Sequence, residues 1–111
     1  MYSTDPVIRS ERSADLLTIH VSGELDCATT DDLRDQIVAH VGDAPRVVLD
    51  VTGVTFCSSS GLTLFIQIHT HLQDRGGDLT LHGPVPSVLR SIEMCRLDEV
   101  LTITPALTAL T

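Results

Sequence analysis

Arg46-Val47-Val48-Leu49-Asp50-Val51, continuing through Thr52-Gly53-Val54-Thr55-Phe56-Cys57 and Ser58-Ser59-Ser60-Gly61 into Leu62-Thr63-Leu64-Phe65-Ile66, decides the fold. The opening six residues are strongly β-prone and read as a central strand with both faces covered. After the serine run, Leu62, Phe65, Ile66, His69 and Leu72 fall on or near one face at helical spacing, which predicts an amphipathic helix from about Ser60 to Gln73. Gly76-Gly77 terminates it. A strand that passes through one short polar loop into such a helix is the first half of a β-α-β unit.

The flanking segments repeat this alternation. Upstream, Gly42 stops a helix that Thr29-Thr30-Asp31-Asp32 begins, with a hydroxyl cap and early acids at the positive end of the helix dipole. Leu33, Ile37 and Val41 give that helix one apolar face. Before it, Leu16 to Ser22 reads as a strand ended by Gly23, forming a hairpin with an opening strand near Val7-Ile8-Arg9-Ser10. Downstream, Asp78 to His82 alternates as a strand, and Pro86 sits in the first turn of a short helix reaching Met94. A last strand is expected near Val100 to Ile103, and Pro105 to Leu110 begins a final helix whose Leu107 and Leu110 pack. This order predicts an α/β domain with a mixed, mostly parallel sheet of about four to five strands and helices packed mainly on one face. One domain spans residues 1–111, with its core about 7–104.

Composition narrows the function. A chain of 111 residues with 42% hydrophobic residues buries a single core, and with Tyr2, Phe56 and Phe65 as its aromatics that core is aliphatic. The formal net charge is −8, from 15 acidic against 7 basic residues, which argues against nucleic acid and against an anionic membrane as partner. It permits a basic protein partner, and it equally serves solubility alone. No apolar run approaches the roughly 20 residues that span a bilayer, and Met1 to Pro6 lacks the features of a signal peptide, so the expected location is the cytoplasm. Cys27, Cys57 and Cys95 show no C-x-x-C spacing and are expected to be reduced thiols, Cys27 exposed and Cys57 buried. The five histidines form no ligand motif, so neither metal nor cofactor is expected.

Two loop-to-helix junctions carry chemistry. In Gly23-Glu24-Leu25-Asp26-Cys27-Ala28-Thr29, Leu25 reaches the core and leaves Glu24 and Asp26 at the surface beside a helix start. In Phe56-Cys57-Ser58-Ser59-Ser60-Gly61-Leu62, three hydroxyls sit at the N-terminus of a helix. One serine suffices as a cap, so at least one other is free for a partner or a kinase. A small enzyme or nucleotide hydrolase is the competing class. However, the chain contains no G-x-S-x-G elbow, no Walker loop and no G-x-G-x-x-G after a strand, and the expectation is that it is not an enzyme.

Gly23-Glu24-Leu25-Asp26 with Thr29 and Leu33, then a strand, then Ser59-Ser60-Gly61-Leu62 opening a helix, resembles the STAS domain, above all the single-domain anti-sigma factor antagonists. Gly76-Gly77 and the Pro84 to Leu97 pattern fit as well, so the resemblance runs from about Val7 to Ile103. It implies a protein that binds a kinase-like anti-sigma factor, frees a sigma factor, and is switched off by phosphorylation at the start of the second helix. The family pattern there is Asp-Ser-Ser-Gly-Leu, which puts the phosphorylated serine at Ser59, with Ser58 and Ser60 as alternative acceptors. The family's aspartate falls on Ser58, which can cap the helix but brings no charge. Glu24, Asp26, Thr29, Ser58, Ser59 and Ser60 are the implied docking residues. The same resemblance admits an unphosphorylated scaffold, a stressosome component or a subunit of a lipid-transport complex.

Overall fold

A computed structural model describes residues 6–105. Five strands form one sheet in the order β1-β2-β3-β4-β5: β1 Val7–Ser13, β2 Leu16–Leu25, β3 Arg46–Cys57, β4 Asp78–His82 and β5 Thr102–Thr104. β1 and β2 form the antiparallel hairpin, and every later neighbour is parallel. The crossovers are helices α1 Thr30–Val41, α2 Ser59–Gln73 and α3 Pro86–Met94. Right-handed crossovers that step each time to the next strand place all their helices on one side of the sheet.

Burial agrees with that arrangement. Leu17, Ile19 and Val21 of β2, Val47, Leu49, Val51 and Val54 of β3, and Leu79 and Leu81 of β4 are buried on the helical side. They join Leu33, Ile37 and Val41 of α1, Phe65, Ile68 and Leu72 of α2, and Val88 and Ile92 of α3 in one core. Each such side chain contributes roughly 1.5–3 kcal/mol by leaving water. Thr18, His20, Val48, Asp50, Thr80 and His82 alternate with them and remain partly exposed. The expectation that β3 is covered on both faces is therefore wrong: the three α-helices among the described residues all go to one side.

Several boundaries also shift. Gly23 does not end β2, which continues to Leu25. Its φ of 112° lets the strand pass a register shift against β3 between Gly23 and Glu24. β3 likewise runs on to Cys57, and α2 begins at Ser59. A turn of 3-10 helix at Leu97–Glu99 takes up residues before the last strand, which begins only at Thr102. Pro86 occupies the first turn of α3 as expected, and Gly42 ends α1 with φ 51°. The expected final helix, with Leu107 and Leu110, lies outside the described residues.

Candidate functional site

Because β2 and β3 are parallel neighbours, both loop-to-helix junctions emerge at the same end of the sheet, where ligands and partners of open α/β sheets commonly bind. The pairing holds them together: Glu24 lies opposite Phe56 and Leu25 opposite Cys57. The Ser58 amide then donates to the Leu25 carbonyl at 2.9 Å. Beneath that bond the packing is close. A Cβ added to Gly61 would stand 2.5 Å from the Cys57 sulfur and 2.9 Å from Leu25 Cβ, so only glycine lets α2 begin against both strands.

The three serines divide the work. Ser58 is the N-cap residue, and its Oγ accepts the Ser60 amide at 3.2 Å. Ser59 is the first residue of α2 and exposed, and among the described residues its hydroxyl has no hydrogen-bond partner. Ser60 is partly exposed and lines a polar groove with Cys27, Thr30, Asp31, Thr63 and Gln67, where the starts of α1 and α2 meet. Thr63 Oγ1 donates back to the Ser59 carbonyl at 3.0 Å, which adds a tie within the first turn.

The first junction differs from its reading. Thr29 occupies the N-cap position of α1 but makes no side-chain cap. Its hydroxyl turns towards Asp26, receiving the Asp26 amide at 3.2 Å and lying 3.2 Å from the Asp26 carbonyl. Asp26 Oδ1 accepts the Ala28 amide at 3.0 Å, and the Asp26 carbonyl accepts the Thr29 and Thr30 amides, each at 3.1 Å. These contacts form a local turn that competes with capping, as short polar side chains commonly do. Asp26 and Thr29 are thus held as a preformed loop, with Glu24 partly exposed beside them. The six residues singled out in the sequence therefore lie together, Glu24 at the end of β2, Asp26 and Thr29 on the loop after it, Ser58 between β3 and α2, and Ser59 and Ser60 at the start of α2.

The thiols are unequal. Cys27 and Cys95 are exposed, whereas Cys57 is partly buried under α2 and its burial pushes the thiol pKa up to about 11. The site also includes residues the sequence reading missed. Phe56 is 50% exposed, an outlay of apolar surface that an internal core position would not show. Ile66, Cys95 and Leu97 line an apolar groove that Ser59 borders. Nothing in local sequence brings Cys95 and Leu97 to Ser59. Local sequence carried no signal for Phe56 either, since alternation from buried Val54 would have placed it in the core.

A polar cluster lies on the other face of the sheet. His20 stands between Asp50, Nδ1 to Oδ2 at 2.6 Å, and Glu11, Nε2 to Oε1 at 2.9 Å. Asp50 Oδ1 also accepts the Thr52 hydroxyl at 2.7 Å and amide at 3.0 Å. Partial burial alone would push the Asp50 carboxyl up, but the Thr52 and His20 bonds outweigh it and hold the carboxyl below its ordinary value of 3.8. The cluster sits where the β2–β3 register shifts, between His20 and Ser22, and bridges three strands. Among the described residues no group of three or more His, Cys, Asp or Glu side chains is placed to hold a metal ion.

The chain is thus a mixed α/β domain with an acidic loop beside a serine run that caps a helix. The STAS domain model matches residues 7–109, and the chain belongs to that family. It is similar to an anti-sigma-B factor antagonist of Listeria monocytogenes, 29% identical over 94 residues that cover 84% of this chain and 82% of that protein. It is also similar to an anti-sigma F factor antagonist of Paenibacillus polymyxa, 28% identical over 98 residues, covering 86% of this chain and 84% of that one. Among solved structures, an anti-sigma factor antagonist from Mycobacterium paratuberculosis superposes with a TM-score of 0.84 at 27% identity, covering 96% of this chain and 91% of that one. Among the described residues no helix is long and apolar enough to cross a membrane.

Proposed function

We propose that this protein is a cytoplasmic anti-sigma factor antagonist: it binds an anti-sigma factor that is also a serine kinase, thereby frees a sigma factor, and is switched off when that kinase phosphorylates Ser59. The names of the relatives support the antagonist reading. The observation that carries the switch is the division of labour among the serines. Ser58 spends its oxygen on the cap, while Ser59 is exposed and its hydroxyl is free among the described residues.

Phosphorylation would add about −1.5 to −2 charges at pH 7. At the first residue of α2 that charge is compatible with the helix dipole, so the domain stays folded. Its effect falls on the interface, where a desolvated and unpaired phosphate costs several kcal/mol and abolishes docking. Glu24, Asp26, Thr29, Ser58 and Ser60 supply the surrounding contact surface. The protein is substrate and ligand in this scheme, not catalyst. A kinase brings its own base and metal, so the absence of an acid at position 58 does not block phosphoryl transfer.

The test is co-expression with the candidate anti-sigma factor, followed by intact and peptide mass spectrometry and a binding measurement. One phosphate on Ser59, absent in Ser59→Ala and accompanied by loss of binding, is the expected result. No phosphate from a kinase active on another substrate would refute the switch and leave an unphosphorylated scaffold, the reading that Ser58 in place of the family aspartate favours.

A further inference from the structure

The groove between α2 and the end of α3 borders the phosphorylation site but shares no residue with the acidic loop. It encloses about 260 Å³ and is lined by Ser59, Leu62, Thr63, Ile66, Cys95 and Leu97. Ser59, Leu62, Thr63 and Ile66 recur three or four residues apart, so they form one stripe of α2 running away from its N-terminus. Leu97 and Cys95 form the opposite wall. Ile66 and Leu97 pack on the core from below yet stay partly exposed, Cys95 is exposed, and Met94 next to it is 79% exposed. Charged side chains neighbour the Cys95 and Leu97 wall in the chain, although Glu93 and Asp98 themselves line a separate groove with Leu89 and Leu101. Glu93, Asp98 and Glu99 are exposed on the α3 side, together with Arg96, which lies 4.0 Å from Glu99. Asp31 stands across the neighbouring polar groove.

We propose that this groove takes an apolar side chain of the anti-sigma factor, and that a phosphate on Ser59 acts by closing the mouth of the groove. The proposal rests on the antagonist reading above. Its occupant is an apolar anchor carried on a basic protein surface, because the chain bears a net charge of −8 and Asp31 lies across Thr63 from the groove. A second copy of this chain would set the same acids against themselves in a two-fold contact. An anionic lipid surface would meet the same repulsion. A buried apolar anchor in a small pocket is the kind of contact on which interface affinity concentrates. A dianion at Ser59 would set a bulky, strongly hydrated group at the mouth of the groove, so that an apolar anchor could enter only by stripping that hydration.

Cys95 gives a direct readout, with the anti-sigma factor that passes the phosphorylation test as probe. In a Cys27→Ser background Cys95 is the exposed thiol, since Cys57 is partly buried and its thiol pKa stands at about 11. Bound anti-sigma factor is expected to slow Cys95 alkylation by iodoacetamide at least tenfold. Cys95→Trp, which fills the groove from its exposed wall, is expected to weaken binding at least tenfold while thermal unfolding stays within a few degrees. Equal alkylation rates free and bound, together with wild-type affinity for Cys95→Trp, would overturn the groove. If Ser59 phosphorylation still abolished binding in that case, the antagonist reading would stand without it. Failure of the wild-type protein to bind the anti-sigma factor would overturn both.

Discussion

Replacing Gly61 by alanine puts a methyl group into the junction that brings the two loops together. The new carbon would stand 2.5 Å from the Cys57 sulfur, 2.9 Å from Leu25 Cβ and 3.5 Å from the Leu25 carbonyl oxygen. Relaxed carbon contacts lie at about 3.5–4.0 Å, so α2 must back away by roughly 1 Å or both neighbours must yield. The sulfur can rotate, but Leu25 is fully buried and fixed by its pairing with Cys57. Overpacking of this kind costs about 1–3 kcal/mol. Against it stands the gain from replacing glycine in a helix, at most about 1 kcal/mol and smaller in a first turn. The expected net loss is about 1–2 kcal/mol, read by urea unfolding as a lower midpoint with an unchanged slope. Adding Cys57→Ala removes the worse contact. In a double-mutant cycle the pair is expected to recover about 1 kcal/mol, with the Leu25 contact keeping the remainder. The same displacement moves Ser58 and Ser59, so anti-sigma factor binding should fall more than stability does. An alanine variant as stable as wild type, or a cycle with no coupling between positions 57 and 61, would refute the account of the junction.

Two further outcomes follow from the hydrogen bonds. Ser58→Ala removes the acceptor of the Ser60 amide and should cost about 1 kcal/mol in thermal or urea unfolding, whereas Ser58→Asp, which keeps the acceptor and adds a charge favourable to the dipole, should not. Equal losses in the two variants would remove Ser58 as the cap. For Asp50, the carboxyl pKa is lowered on folding, so below the unfolded value the unfolded chain binds more protons than the native one. Its contribution to stability is therefore present above pH about 4 and is lost as pH falls through the native value. Acid unfolding followed by circular dichroism should show Asp50→Asn less stable than wild type at neutral pH and the gap narrowing on acidification. A constant gap from neutral pH down to acid would assign the loss to packing instead.

The strand and helix order was legible because each segment declares itself within a few residues. Leu33, Ile37 and Val41 return on a helical period and are all buried, and Leu79 and Leu81 alternate as a half-buried strand should. Boundaries were less legible where a neighbouring strand decides them. Gly23 looks like a stop on its own, but pairing with β3 carries β2 past it to Leu25. The cap at Ser58 could be read locally, since a hydroxyl bonds an amide two residues away. The missing cap at Thr29 could not, because Asp26 and Thr29 each have several local partners and only the folded turn chooses among them.

By itself the sequence determined the α/β order, the aliphatic core, the acidic surface and the placing of a serine run at a helix start, since all of these rest on composition and on periods of two or 3.6 residues. Helices packed mainly on one face were already expected from the order of the elements, whereas tertiary structure alone decided the strand order β1-β2-β3-β4-β5, which with the hand of the crossovers puts the described helices on that one face. It also decided what surrounds Ser59. The parallel pairing of β2 with β3 brings the Asp26 loop to one side, and the return of the chain after α3 sets Cys95 and Leu97 on the other. Contacts between residues more than thirty positions apart depend on loop closure and packing, and no local pattern encodes them.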